Sequence, residues 1–400
     1  MKSNSPPEAL SARSNFGLIS KKFQELHALA FSRSAPVDLT QSNPGRVGLQ
    51  LPDFLELLRK GGENVYMPCP RGLLGAREAV AATLQSRGAV SAADILLTAS
   101  TSEAYSYLLQ VLCDPGDAIL VPEPSYPLFH QLAQLCGVRL VPYQLVYDGA
   151  WHIDLASLPS TQEIHRQRIR AVMSVSPNNP TGNILSQGEL TALRNLELPL
   201  IVDEVFRPYM HASSTAYPPE NSADPLRHAS TSCLTIVLDG LSKRSCAPGL
   251  KLGWLIAQGK NASAFLKRLE WVSDTFLSLG GPVQYALGDI FAHEEQTQLQ
   301  VQRRLKSNLA CSHQILKDSA LSALSPQGGW SQIIRLPQMM DEVHWWEALC
   351  QKGIWLQPGE LYLLPLPCAF VVSLLTPCQE FEQGLLRLRA LVDSKLSSNF

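Results

Sequence analysis

Short apolar runs recur along this chain, each closed by a turn and followed by apolar positions at helical spacing. The runs fall at residues 94–98, 118–122, 138–143, 171–176, 198–203, 234–239 and 252–257. Seven such strands alternating with helices predict an α/β fold, a mostly parallel seven-stranded sheet covered by helices. Tyr105, Leu108, Leu109 and Leu112 repeat at helical spacing before the breaker Asp114-Pro115-Gly116-Asp117, and Val80, Ala81 and Leu84 do likewise. After about residue 294 the pattern changes to a long polar-faced helix, an apolar run at 330–336, a helix near 341–352, a strand at 369–375 and a closing helix from Gln379. That second half reads as a smaller α+β unit. Residues 3–36 carry only weak periodicity and read as partly flexible, and no internal repeat or low-complexity linker is present.

Length and charge narrow the class. Four hundred residues exceed one typical compact core and suggest a large domain with a smaller companion. With 33 basic against 35 acidic residues there is no general field for nucleic acid or an anionic membrane, so the expected partners are small molecules. The nine cysteines are dispersed in apolar contexts with no CxxC pair, which reads as reduced thiol in the cytoplasm. Residues 1–20 are polar and read as neither signal peptide nor anchor, and no run approaches a membrane-spanning length. The nine histidines show no metal-ligand spacing, and His130, His152 and His344 read as surface or core-edge residues.

Chemistry concentrates at three strand ends. Lys243 lies between an apolar strand and the glycine-punctuated turn Ala247-Pro248-Gly249-Leu250-Lys251-Leu252-Gly253, where a lysine can point inward. An amine nucleophile must be held unprotonated, and burial beside cations such as Arg244 or Lys251 lowers a lysine pKa. Asp203 ends the apolar run Leu198-Pro199-Leu200-Ile201-Val202, and Pro177-Asn178-Asn179-Pro180-Thr181-Gly182 follows the strand at 171–176. Ser100-Thr101-Ser102 closes a strand and opens a helix, which suits an anion at a helix N-terminus. The same residues also read as a plain cap, because Glu103 stands three after Ser100.

Together these sites resemble the fold-type I pyridoxal-phosphate enzymes, specifically the class I/II aminotransferases related to aspartate aminotransferase, over about residues 38–391. The resemblance implies a large domain that binds pyridoxal 5'-phosphate at residues 49–293, with residues 1–48 joining a small C-terminal domain at 294–400. It implies that Lys243 holds the cofactor as a Schiff base and then serves as the base at the substrate Cα. Asp203 would keep the pyridine nitrogen protonated, and Asn179 would donate to the ring hydroxyl. Tyr126 would stack on the ring, while Ser100, Thr101, Ser102 and Lys251 would fix the phosphate. Tyr66 matches the tyrosine that reaches the phosphate of the neighbouring subunit, which implies a homodimer.

Three positions depart from the family pattern. Lys251 stands where the family usually has an arginine on the phosphate, keeping the charge and losing the fork. Phe206 stands where a tyrosine often donates to the ring hydroxyl. Val371 aligns with the arginine that ordinarily grips the substrate α-carboxylate. Either another cation takes that role or the substrate lacks a free α-carboxylate. Arg46, after Ser42-Asn43-Pro44-Gly45 on a segment resembling the loop that lines the substrate side, is the candidate, with Arg335 behind it and a solvated loop arginine as the plain alternative.

Function is expected as transamination between an amino acid and a 2-oxo acid. Without an evident second arginine for a side-chain carboxylate, a dicarboxylate substrate is the less expected case. The alternative keeps the cofactor and changes the reaction to lyase, racemase, decarboxylase or cyclase chemistry. A non-catalytic sensor of the kind fused to DNA-binding modules is disfavoured, because fewer than forty residues precede Asp38 and Lys243 is intact. Gly328-Gly329-Trp330 reads as a tight turn before a strand, and of Trp345 and Trp346 one is expected to pack and one to be partly exposed.

Overall fold

The computed structural model describes residues 11–14, 21–59, 66–211, 222–227 and 232–398. All seven expected strands are present, and an eighth joins them. In spatial order the sheet runs Ile95–Thr98, Gly253–Gly259, Leu234–Gly240, Leu200–Asp203, Ile169–Val175, Ala118–Glu123, Arg139–Tyr147 and Trp151–Ile153. The pairings from Leu234–Gly240 across to Arg139–Tyr147 are parallel. Gly253–Gly259 runs antiparallel to both neighbours, and the unexpected Trp151–Ile153 folds back on the edge as a hairpin arm. Its three residues are too short for a periodic signal, but Trp151 and Ile153 bury the same face.

The continuous apolar runs have a physical reason, because both faces of the sheet are covered. Along Leu200–Asp203, Ile201 joins the core on one face while Leu200 and Val202 join the core on the other. In Ile169–Val175, Ala171, Met173 and Val175 face one side and Val172 the other.

The second half forms a smaller antiparallel sheet in the order Ser322–Ala323, Ser331–Arg335, Ala369–Ser373, Gln357–Pro358. The Glu294–Leu316 and Cys378–Ser397 helices pack with it around a core that includes Leu39, Trp345, Phe370 and Phe381. Residues from the start of the chain complete this unit, since Val37–Asp38 pairs in parallel with Ile354–Trp355. The weakly periodic region contains a helix, Lys21–Phe31, that buries Leu26 and Ala30 and sets Phe23 edge-on to Trp346 and Trp355 at 5.6 and 5.2 Å. That contact corrects the expectation for the tryptophan pair, for Trp345 and Trp346 are both buried. Most of the polar N-terminal stretch at 1–20 lies outside the described residues. Among the described residues no helix is long and apolar enough to cross a membrane.

Candidate active site

The parallel strands end on one edge of the large sheet, and the chemistry-bearing residues follow those ends. Thr98 closes one strand just before Ser100, Asp203 is the last residue of its own, and Gly240 closes the strand that leads to Lys243. A cavity of about 390 Å³ lies there. Ser100, Thr101, Ser102, Tyr126, Asn179, Asp203, Phe206, Lys243 and Lys251 all line it, so residues from position 100 to position 251 meet at one place.

Lys243 is half-buried, and its removal from water holds its amine below the usual lysine range while Cys246 and Asp203 pull it upward. Burial is the expected cause, but the expected cations do not contribute to it. Arg244 is engaged elsewhere, 3.1 Å from Asp239 and 2.5 Å from Glu294, and Lys251 is exposed. Aromatic rings wall the amine instead, with Nζ 4.9 Å from the centroid of Trp330 and 5.6 Å from that of Phe206. Tyr209 fixes the backbone by donating its hydroxyl to the Lys243 carbonyl at 2.7 Å.

Asp203 is buried, and burial pushes its carboxyl up to about 6 against two hydrogen bonds that favour the charge. Tyr105 donates its hydroxyl to Oδ2 at 2.6 Å, and the Val205 amide donates to Oδ1 at 3.0 Å. Glu204, next in the chain, sits in a buried square of charge: Arg87 is 2.5 Å from Glu204 and 2.8 Å from Asp224, and Arg207 is 2.8 and 3.2 Å from the same two carboxylates.

Ser100 is the N-cap of the Thr101–Leu112 helix, its hydroxyl accepting from the Glu103 amide at 3.1 Å, while the Glu103 carboxylate accepts from the Ala99 amide at 2.7 Å. The capping reading therefore holds for the Ser100 hydroxyl. The helix still opens into the cavity, and Gly253 lets a strand lie against that turn, because a Cβ there would be 3.0 Å from the Thr101 nitrogen. Asn179 accepts from the Ser331 hydroxyl at 3.1 Å through Oδ1. Tyr126 is 43% exposed at the cavity mouth, packed edge-on to Phe129 at 5.9 Å.

Other candidates are not brought to this cavity. Arg46 and Ser42 are exposed, and neither lines it. Arg335 lies on the small sheet near Tyr147 and Cys368 and does not line it either. Val371 is buried in the apolar cluster with Ile333, its strand partner. Tyr66 is 74% exposed and lines a separate small pocket with Met67 and Ser273.

Two residues in contact with Asp203 or Lys243 do not stand out in the sequence. Tyr105 looked like one more member of an apolar helix stripe, and only its hydroxyl, which needs a partner once buried, hinted at more. Trp330 was absorbed into the turn reading, yet Gly328 is a glycine for close approach: a Cβ there would lie 2.6 Å from Pro177 Cγ and 3.0 Å from the Tyr209 carbonyl.

Comparison with known proteins shows the family of the chain. The family model for aminotransferases of class I and II matches residues 32–377. Over 262 residues the chain is 28% identical to the glutamate-pyruvate aminotransferase AlaA of Haemophilus influenzae, covering 62% of each protein. Over 206 residues it is 31% identical to human tyrosine aminotransferase, covering 50% of this chain and 43% of that one. The matched stretch thus spans less than two thirds of the length of these relatives. An alanine aminotransferase from Pyrococcus furiosus superposes with a TM-score of 0.83 at 23% identity, over 96% of this chain and 100% of that one, which shows the shared fold.

Proposed function

The chain belongs to the class I and II aminotransferase family, and from that premise we propose that it is a pyridoxal-phosphate-dependent transaminase that moves an amino group between an amino acid and a 2-oxo acid. One observation carries the reading: a half-buried amine, Lys243, and a buried carboxylate, Asp203, line a single cavity that a helix N-terminus also enters. These residues fit the cofactor. The Gly253 approach keeps the Ser100–Ser102 turn open as an anion cradle with Lys251 beside it, and Asp203 keeps lone pairs toward the cavity after its two hydrogen bonds.

Pyridoxal 5'-phosphate, when bound, supplies the electron sink that lets a Cα–H bond of the substrate break heterolytically. Lys243 would anchor the group through Nζ, and the lowering of its pKa by burial favours the neutral, nucleophilic amine. Once free, the Lys243 amine would serve as the base that takes the substrate Cα proton and, as the ammonium, the acid that returns it. Asp203 would hold the proton on the ring nitrogen, Asn179 would support the ring oxygen, and Tyr126 would cover the ring face, since all three line the cavity. The aromatic walls of Trp330 and Phe206 exclude water from the amine. The exposed Tyr66 and its exposed neighbour Met67 support a homodimer in which Tyr66 crosses to the other site, and nine free thiols support a cytoplasmic protein.

Val371 favours a second reading. A buried valine cannot form the charge-assisted pair a carboxylate needs, and among the described residues that line the cavity the only lysines or arginines are Lys243 and Lys251. Substrates without a free α-carboxylate, or lyase, racemase, decarboxylase or cyclase chemistry, gain weight from this. A panel of amino donors tests the main reading by absorbance of the loaded protein in a single turnover, with the 2-oxo product assayed. Conversion to the amine form of the cofactor with stoichiometric oxo product is expected. Product release with the original spectrum restored would shift the assignment to the second reading, and an unchanged spectrum with every donor would end the first.

A further inference from the structure

The Thr101–Leu112 helix meets the cavity twice. Its N-terminus enters at Thr101 and Ser102, and one turn further in Tyr105 turns its hydroxyl onto Asp203 at 2.6 Å. A single rigid element therefore sets the spacing between the anion cradle and the carboxylate. We propose that Tyr105 is the positioning residue for Asp203, its hydroxyl fixing the carboxylate's orientation and keeping it ionised toward a protonated ring nitrogen. This inference rests on the pyridoxal-phosphate reading above.

The phenol has no freedom to do otherwise. Tyr105 is buried, its ring edge-on to Phe129 at 5.0 Å and 70°, and Phe129 in turn is edge-on to Tyr126 at 5.9 Å and 87°. Three rings thus run from the carboxylate's partner to the side chain at the cavity mouth. With Tyr105 on Oδ2 and the Val205 amide on Oδ1, each oxygen of Asp203 is held by one donor and keeps acceptor capacity for the cavity it lines.

The other charged groups around Asp203 do not do this work. Asp239, on the next strand, is paired with Arg244, and Glu204 sits between Arg87 and Arg207. Lys243 lines the same cavity, and Tyr126 stands at its mouth. Among the described residues the only side chain that donates a hydrogen bond to the Asp203 carboxylate is Tyr105. Burial pushes the Asp203 carboxyl up, the phenol and the Val205 amide pull it down, and Asp239 and Glu204 push it up again. Without the phenol, burial is less opposed, so the pH at which Asp203 becomes charged rises. Below that pH the neutral acid cannot hold a proton on the ring nitrogen.

Tyr105→Phe keeps the ring packing and deletes the donor. The measurement is the affinity for pyridoxal 5'-phosphate from about pH 5.5 to 9, read by protein fluorescence. The 1-deaza analogue, whose ring carries CH in place of nitrogen, is measured beside it. The affinity midpoint for the natural cofactor is expected to move up by about one to two pH units, which makes binding at pH 7 about two- to tenfold weaker. The deaza analogue is expected to bind variant and wild type alike. Tyr107→Phe, on the same helix with its ring stacked on Phe276, serves as the control and should leave the midpoint in place. If Tyr105→Phe does not fold, difluorotyrosine at 105 asks the same question with the opposite sign, since a stronger donor should lower the midpoint. An unmoved midpoint, or equal weakening of both ligands, overturns the inference and leaves the cofactor reading standing. A wild-type protein that binds neither ligand overturns both.

Discussion

Replacing Arg87 by Met removes one corner of the buried charge square behind Asp203 while keeping a side chain of similar length. In the native protein Arg87 bonds Asp224 through Nε at 3.0 Å and Nη2 at 2.8 Å, and Glu204 through Nη2 at 2.5 Å. Removing one partner of a buried pair costs about 3–5 kcal/mol, because the surviving charge stays desolvated. Arg207 remains within 2.8 and 3.2 Å of both carboxylates, so the lower end, about 3 kcal/mol, is expected. With a urea slope of about 3 kcal/mol per molar, that is a fall of about 1 M in the unfolding midpoint at pH 7.

The pH dependence supplies a sharper check. Burial pushes Asp224 up, but its hydrogen bond to Arg87 and the charges of Arg207 and Arg87 outweigh that and hold the carboxyl below its ordinary range. A depressed carboxyl contributes stability that is present above its unfolded pKa and lost as the pH falls through the folded one. The deficit of Arg87→Met should therefore be largest near neutrality and shrink toward about pH 4 as the stranded carboxylates protonate. Urea titrations at both pH values decide it: a midpoint change under about 0.3 M at pH 7, or one equal at both, would refute the reasoning.

Phe206→Tyr places a donor beside Lys243, in a ring now 5.5 Å from that of Trp330, and should lower the pH midpoint of the bound cofactor's absorbance, read by spectral titration against wild type. Glu294 is raised from 4.5 to about 7, first by burial, so its ionisation opposes folding as pH rises through that window. Glu294→Gln should thus gain stability relative to wild type between about pH 5 and 8, by up to about 3 kcal/mol, and parallel stability curves would count against it. Gly328→Ala drives a methyl to within 2.6 Å of Pro177 Cγ and should cost about 1–3 kcal/mol by overpacking, visible as a lower Tm; an unchanged Tm would mean the turn yields freely.

Much of the large sheet was legible because burial on both faces leaves unbroken apolar runs, and the residues that end those runs, Asp203 among them, stand out. Contacts between distant segments were not legible. The Tyr105 hydroxyl finds Asp203 across 98 positions, and nothing in a stripe that otherwise reads as leucines announces it. Arg244 looked like a cation for its neighbour Lys243, but Glu294, far along the chain, draws its charge away. Arg46 stands out by the residues beside it in sequence, whereas its exposure depends on how the loop lies. The Lys21–Phe31 helix hid because its buried face is narrow and relies on two tryptophans from the other end of the protein.

The pairing of Val37–Asp38 with Ile354–Trp355 joins segments about three hundred residues apart. A chain emerging from the ribosome therefore delivers residues 37 and 38 long before their partners exist, and by the time those partners emerge every strand of the large sheet, from Ile95 to Gly259, is already out. That sheet can assemble during translation, and the smaller unit is sealed only after residues 354 and 355 have emerged.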